Sequence, residues 1–368
     1  MKLRQNEAYW SDKDDRWHIY VQANGVRRHF VSTVGVSSRK GKLQAERKAD
    51  KWLEEQLADE NQKVEVLYDK WIESLKDRTQ TAYWMQYQSY GRNWIKPAVG
   101  HKRMAALRES DLDAIVAAAY KKGLAKKSLM NIRSCLMAFL KYARKCRATT
   151  LMPEEIVLPK NAPTHGKRSL EPAEIEKVFT SDETAYRGQP RKEYYRFLYR
   201  FMIFEGLRPG EALGLRWEDV QADEYEIRRA INYQGEITTG KNANARRRHA
   251  LSEYSAKILA EQKAMLHEAG IVSPWVFPDE EGSPTSQRKL LTIWDRYCKH
   301  NGIAKITLYE LRHTNYSVNK EMPESYKKML FGHSADFNGD AVYSHAIDGD
   351  LRAAAAMNEA AFLKIIKK

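Results

Sequence analysis

Apolar positions recur along this 368-residue chain with three different periods, and each period predicts a different kind of element. Near the start, Trp17, Ile19 and Val21 alternate with His18 and Tyr20. Strict alternation is the mark of a strand with one buried face. Asn24-Gly25 is a hairpin signal, so Arg27–Thr33 should return as a partner strand, with Tyr9-Trp10 as a third. Ala45, Ala49, Trp52, Leu53 and Leu57 then follow at helical spacing, giving the sheet one helix to pack on and leaving its other face open. That open face should carry Arg16, Tyr20 and Arg28 or their neighbours, and such a ribbon fits a DNA major groove. A plain packing module is the alternative.

From residue 63 the period becomes helical throughout. Val66, Leu67, Trp71, Ile72 and Leu75 mark one amphipathic helix, and Leu129, Ile132, Leu136, Phe139, Leu140 and Ala143 mark another. Thr79–Ile95 and Ser110–Tyr120 supply two more, with Ser110 as an N-cap and Pro97–Gly100 breaking the pattern. Pro153 to Gly166 holds three prolines and a glycine without periodicity, and predicts an extended linker. Beyond it, helices are expected around Pro172–Phe179 and Lys192–Phe204, then a β-rich stretch near Glu224–Leu251, then helices to the end. The expected organisation is a β-sheet-plus-helix domain (1–62), a four-helix domain (63–152), a linker (153–166) and a mixed, mainly α domain (167–368). The chain is thus multidomain and mainly α.

Charge narrows the function. The chain carries 62 Lys and Arg against 48 Asp and Glu, a formal net charge of +14, which suggests a polyanionic partner. Residues 1–62 contribute +2, residues 63–165 contribute +10 and residues 166–368 contribute +2. The excess therefore sits in the helical middle segment, where Lys121, Lys122, Lys126, Lys127, Arg133, Lys141 and Arg144 recur along helix-like sequence as candidate phosphate contacts. A solvated helix surface is the bland alternative. No apolar run approaches the ~20 residues of a membrane span, the N-terminus lacks a secretory core, and Cys135, Cys146 and Cys298 form neither a disulfide framework nor a CxxC site. A soluble protein of a reducing cytoplasm is expected, with no membrane partner.

The last segment carries the chemistry, in motifs that matter only together. Phe204-Glu205-Gly206-Leu207-Arg208-Pro209-Gly210-Glu211 places Arg208 at a helix junction, with Glu211 three residues on to orient its guanidinium. Thr238-Thr239-Gly240-Lys241-Asn242 sets Lys241 at a β-turn. Leu308-Tyr309-Glu310-Leu311-Arg312-His313-Thr314, Phe331-Gly332-His333 and Val342-Tyr343-Ser344-His345 follow. The ordered set Arg208, Lys241, Arg312, His333, Tyr343 resembles the catalytic set of the tyrosine recombinases, in the branch of phage and conjugative-transposon integrases.

The resemblance implies a site-specific recombinase that integrates and excises a mobile element. Tyr343 would be the nucleophile forming a 3′-phosphotyrosyl link, and Arg208, Arg312, His333 and Tyr309 would stabilise the pentacoordinate phosphate. Lys241 would protonate the leaving 5′-oxygen. Family members commonly have His where this chain has Tyr309, a poor proton acceptor, so the base is open between solvent, His333 and a phosphate oxygen. His313 is expected to be a hydrogen-bonded core histidine, and His345 is ambiguous.

The resemblance further implies core-type DNA sites, arm-type sites for the N-terminal sheet, accessory excision or bending factors, and a nucleoid location in a prokaryote. A homotetramer on DNA would be held by the apolar stripe Leu351, Ala354, Ala355, Ala361, Phe362, Ile365 and Ile366 docking on a neighbouring subunit, unless that stripe packs on its own domain. No metal or other cofactor is required by the scheme. A type IB topoisomerase-like enzyme, or a DNA-binding regulatory or architectural protein with a decayed site, would share much of this sequence.

Overall fold

The computed structural model describes residues 4, 6–23, 26–33, 35, 37–58, 62–164, 166–239, 246–332 and 349–366, with backbone alone for 54–58. The chain forms two compact units, Met1–His165 and Gly166–Lys368.

The first unit contains two separate hydrophobic clusters. Strands β1 (Tyr9–Ser11), β2 (Arg16–Ala23) and β3 (Val26–Val31) form an antiparallel sheet in the order β1-β2-β3. Helix α1 (Arg39–Ala58) covers one face, burying Ile19 and Val21 against Ala45, Ala49 and Leu53. The turn residues Asn24 and Gly25 lie outside the described residues. Pairing across the ladder assigns the open face, because directly opposed residues point the same way. Tyr20 opposes His29, and Gln22 opposes Arg27, so Arg16, His18, Tyr20, Arg27 and His29 share the open face. Arg28 opposes Val21 and stands on the helix side, although it is exposed there. The expectation that Arg28 lines the open face is thus corrected to Arg27, whose guanidinium lies 4.7 Å from the centre of the Tyr20 ring.

The rest of this unit is helical: α2 (Val64–Lys76), α3 (Thr81–Tyr90), the short α4 (Lys96–Val99), α5 (Glu109–Lys121) and α6 (Lys126–Lys145). Val64, Tyr68, Trp71, Leu136 and Phe139 are buried in its core, whereas Val66 is exposed. The break falls later than the Pro97 pattern suggested. A π-helical turn, Gly91–Ile95, joins α3 to α4 without a break, and Pro97 follows it in the first turn of α4. Ser110 does not cap α5. Arg108 is the N-cap residue and Asp111 accepts its backbone N–H at 3.0 Å, so an acidic side chain inside the helix does the work expected of Ser110. Residues 153–164 contain no helix or strand, yet Ile156 and Ala162 are buried in the helical core.

The second unit is built around α8 (Arg196–Glu205), every residue of which is buried. A helix apolar on nearly all sides belongs at the centre of a domain, and its neighbours surround it. Tyr199 packs on Trp294 of α11 (Gln287–His300), Phe201 on Phe277, and Phe204 on Tyr254 of α10 (Glu253–Glu268). Helix α7 (Pro172–Thr180) adds Phe179. The expected helix start at Lys192 is replaced by a hairpin of β4 (Glu183–Tyr186) and β5 (Gln189–Lys192), turned by Arg187 and Gly188 at φ 50° and 80°. The β-rich stretch is two small ladders: β6 (Glu224–Ile227) with β9 (Arg247–Ala250), and β7 (Ala230–Ile231) with β8 (Ile237–Thr238). Helices α9 (Pro209–Leu213), α12 (Leu308–Val318), α13 (Glu324–Phe331) and α14 (Asp350–Ile366) complete the unit. Among the described residues, no helix is long and apolar enough to cross a membrane.

The terminal helix packs on its own unit. Phe362 is fully buried, 5.0 Å from Phe204 and 6.2 Å from Phe179, and Asn358 donates to the Phe204 carbonyl at 2.8 Å. The Asn358 side-chain oxygen in turn accepts from Asn315 and Asn319. In this chain the stripe thus follows the second of the two expectations, packing on its own unit. Asn358, between the apolar positions of the stripe, ties it to the domain core.

Candidate active site

Arg208 is placed by the chain reversal between α8 and α9. Gly206 ends α8 in the left-handed region at φ 64°, and a Cβ there would come within 2.7 Å of the Phe331 ring and 3.1 Å of Asn315. Glycine is thus needed both for the turn and for the close approach of α12 and α13. Gly210 lets α9 press on β7, since a Cβ there would lie 2.5 Å from the Ile231 carbonyl oxygen. Arg208 then occupies the N-cap of α9. Its backbone N–H donates to Glu211 Oε2 at 3.0 Å and its Nη1 to Oε1 at 2.6 Å, the contact expected from the three-residue spacing.

Arg312 projects from α12 into the same place. Its Nη1 donates to the Gly206 carbonyl at 3.0 Å, its Nη2 to the Phe331 carbonyl, and its guanidinium stands 4.0 Å from Glu211. A third guanidinium, Arg247 at the start of β9, grips Glu211 through both oxygens, with Nη1 to Oε1 at 3.1 Å and Nη2 to Oε2 at 2.9 Å. Sequence reasoning missed Arg247. It stands in the run Arg246-Arg247-Arg248, where only its pairing opposite Ile227 separates it from its neighbours.

Three guanidiniums around one carboxylate leave a net +2 that is mostly shielded from water. Side-chain exposure is 34% for Arg208 but 4% for Arg312 and 8% for Arg247. Arg208 is the member open to a ligand, and the other two form the floor. Burial opposes ionisation of Glu211, but the Arg247 hydrogen bonds and the charges of Arg247 and Arg208 hold its carboxyl at about 2. Its contribution to stability is thus present above the ordinary carboxylate range and is lost only as pH falls toward 2. Burial, with the like charge of Arg208, pushes Arg312 down to about 9, so it stays cationic at neutral pH. A cationic pocket with planar paired donors suits a tetrahedral or pentacoordinate oxyanion.

Behind Arg247 lies a second buried group. Its Nε donates to His249 Nε2 at 2.9 Å, which places the His249 proton on Nδ1, 3.5 Å from Glu205 Oε2. Burial lowers the pKa of His249 and keeps it neutral. Tyr225 donates to Glu205 Oε2 at 2.8 Å, and the Ser255 hydroxyl takes the other oxygen.

Tyr309, at the start of α12, is exposed, packs edge-on to His313 at 5.4 Å and has the Lys167 ammonium 5.6 Å from its ring centre. His313 is half-buried. Its Nε2 has no hydrogen-bond partner among the described residues, so the expectation of a hydrogen-bonded core histidine is corrected. Lys241, His333, Tyr343 and His345 lie outside the described residues. The structure brings Arg208, Glu211 and Arg312 together, with Tyr309 one helical turn before Arg312.

The basic residues of the first unit separate by role. Lys121, Lys122, Lys126, Lys127 and Lys141 are exposed, and Arg133 is half-buried. At 100° per residue, Lys126, Arg133, Lys141 and Arg144 fall within an arc of about 80° on α6, with Arg133 at the edge of its buried face. Arg144, however, donates to the Leu151 carbonyl at 2.9 Å and is engaged in holding the chain after α6.

Comparison with known proteins identifies the family and the fold. Residues 168–348 match the phage integrase family model, and residues 63–117 match the model of the phage integrase N-terminal SAM-like domain. A tyrosine recombinase XerC-like protein of Caldanaerobacter subterraneus subsp. tengcongensis is 24% identical over 317 residues, covering 76% of this chain and 78% of its own length. The ICEBs1 integrase of Bacillus subtilis is 26% identical over 169 residues, 41% of this chain and 45% of its own. Among solved structures, the Tn1549 transposon integrase in complex with a circular intermediate DNA superposes with a TM-score of 0.61 at 17% identity, covering 79% of this chain and 98% of that one. A lambda integrase dimer bound to a core site gives 0.58 at 15% identity, covering 94% and 98%. With both family models matched in chain order and the fold shared with DNA-bound integrases, this chain belongs to the phage integrase family of tyrosine recombinases, enzymes that transfer DNA strands.

Proposed function

We propose that this protein integrates and excises a mobile element by cutting and rejoining DNA at specific sites, with Tyr343 attacking the scissile phosphate to form a 3′-phosphotyrosyl link. The observation that carries the reading is the pocket in which Arg208, one-third exposed, shares Glu211 with buried Arg312. Strand exchange must keep the energy of the phosphodiester, and a covalent link does so. Arg208 and Arg312 would offer paired donors to the non-bridging oxygens as charge builds, joined by His333. Lys241 would protonate the 5′-oxygen as it leaves. Tyr309, exposed beside Lys167, donates to the phosphate rather than accepting the proton of the nucleophile.

Duplex DNA at core-type sites is the substrate. The open face of the N-terminal sheet, with Arg16, Tyr20 and Arg27, would bind arm-type sites, and the exposed lysines of α5 and α6 would contact phosphates. Lambda integrase has been solved as a tetramer on a Holliday junction, and four copies of this chain would assemble likewise, with accessory factors setting direction on the bacterial nucleoid. In the assembly the stripe on α14, which packs on its own unit in the free chain, would dock on a neighbouring subunit.

The test is cleavage of a nicked duplex that traps the cut state, carrying the junction sequences that flank the coding sequence. A covalent protein–DNA adduct on a denaturing gel, abolished by Tyr343→Phe, is expected; no adduct on any such junction would overturn the reading. Joining between two duplexes separates a recombinase from a topoisomerase-like enzyme that only reseals its own nick.

A further inference from the structure

We propose that Arg247 is a positioning residue for cleavage: its fork locks the Glu211 carboxylate, which in turn fixes Arg208 for the scissile phosphate. The inference rests on the proposed phosphotyrosyl chemistry. Each Glu211 oxygen bridges the two arginines. Oε1 accepts from Arg247 Nη1 and Arg208 Nη1, and Oε2 accepts from Arg247 Nη2 and the Arg208 backbone N–H. A carboxylate held at both oxygens by a planar fork cannot swing without breaking every one of these bonds. Arg208, one-third exposed and joined to the protein by that carboxylate, takes its aim from it.

Arg247 also reaches the other side of the pocket. The single Nε–H that it gives to His249 is shared with the Leu330 carbonyl at 3.1 Å, while Arg312 Nη2 donates to the next carbonyl, that of Phe331. These are C-terminal carbonyls of α13, which the helix itself leaves unpaired. The left-handed Gly332, at φ 53°, follows immediately and leads to His333. One buried guanidinium thus ties β9, α9 and the end of α13 together, and neutral His249 fixes its orientation from behind. A surface ion pair would do none of this, whereas a purely structural core pair would leave the reaction's pH response unchanged.

That difference supplies the test. The groups facing Glu211 are Arg208, Arg247 and Arg312, with His249 and Glu205 behind Arg247. Removing Arg247 takes away the chief force that keeps the buried carboxyl ionised, so Glu211 would take up a proton at higher pH and release Arg208. Single-turnover cleavage of the nicked crossover duplex is measured for the full chain, Arg247→Met and Arg247→Lys between pH 8 and 5.5, with duplex affinity by fluorescence anisotropy and thermal melting alongside. For Arg247→Met we expect cleavage about 100-fold slower at pH 8, affinity within about threefold, and a wild-type-to-variant rate ratio that grows as pH falls.

Arg247→Lys keeps charge without the fork, so it should cleave at an intermediate rate with a flatter ratio. Should the Met variant fail to fold, the Lys variant decides: a loss of about tenfold or more at unchanged affinity supports the proposal, and wild-type cleavage overturns it. A folded Met variant that cleaves within about threefold of wild type, or one whose deficit is constant with pH, overturns the inference alone. Absence of an adduct for the wild-type chain overturns the reading of cleavage itself, and the inference with it.

Discussion

Arg208 and Arg312 bear the same charge a few ångströms from one carboxylate, yet their surroundings give them different work. Arg312 spends its donors on the Gly206 and Phe331 carbonyls and so joins α8, α12 and α13 as well as charging the pocket. A lysine there has one compact ammonium and cannot span both carbonyls as a planar fork does. Arg312→Lys should therefore lower stability by ~1–3 kcal/mol, read in denaturant melts, and abolish cleavage as well. Arg208→Lys, at a site one-third open to solvent, should leave stability within ~0.5 kcal/mol and affect cleavage alone. Equal melting losses for the two would contradict the assignment of floor and working residue. The pairing of Arg208 with Glu211 was readable from their spacing, because three residues is one helical turn. Arg247 was not, because 36 residues and a strand pairing separate it from Glu211.

Helices α6 and α14 both carry stripes, and in each case the decisive residue is one that a stripe cannot identify. On α14, Asn358 inserts into a buried amide network with Asn315 and Asn319, and Phe362 closes the aromatic cluster of Phe179 and Phe204. Phe362→Ala should cost ~3–5 kcal/mol in the free protein, measured by chemical denaturation. A cost seen only when DNA assembles the protein would instead favour docking between subunits. On α6, the exposed Lys126, Lys127 and Lys141 are free of the work that occupies Arg144. Replacing those lysines by alanine should flatten the salt dependence of DNA binding by ~0.9 of slope per lost phosphate contact. Arg144→Ala should change the melting temperature more than the slope. A slope unchanged by the triple lysine variant would exclude this face from DNA.

At the scale of the whole molecule, the net charge of +14 and the chemistry lie in different places. Residues 63–165 hold +10 of it, while the unit with the arginine pocket is nearly neutral. Affinity and catalysis should therefore separate. A chain lacking residues 1–62 should cleave a core-site duplex at close to the full rate but lose retention of arm-type DNA in gel-shift titrations. Equal loss of both would show that the N-terminal sheet serves the core site. That sheet has its own small core of Ile19, Val21, Ala45, Ala49 and Leu53, so its removal leaves the helical core built on Leu67, Trp71 and Phe139 unbroken.

The sequence by itself determined most of the element types, the order of the motifs and the family resemblance, because periodicity, turn chemistry and motif spacing are local properties that survive without coordinates; the hairpin of β4 and β5 escaped it. It also located the charge. What only the tertiary structure decided are relations between distant segments: that Arg27 rather than Arg28 shares the open face with Tyr20, and that the α14 stripe turns inward. The third guanidinium on Glu211 belongs to the same class. Strand register and the packing of side chains across more than a hundred residues settle such matters, and no period along one chain encodes them.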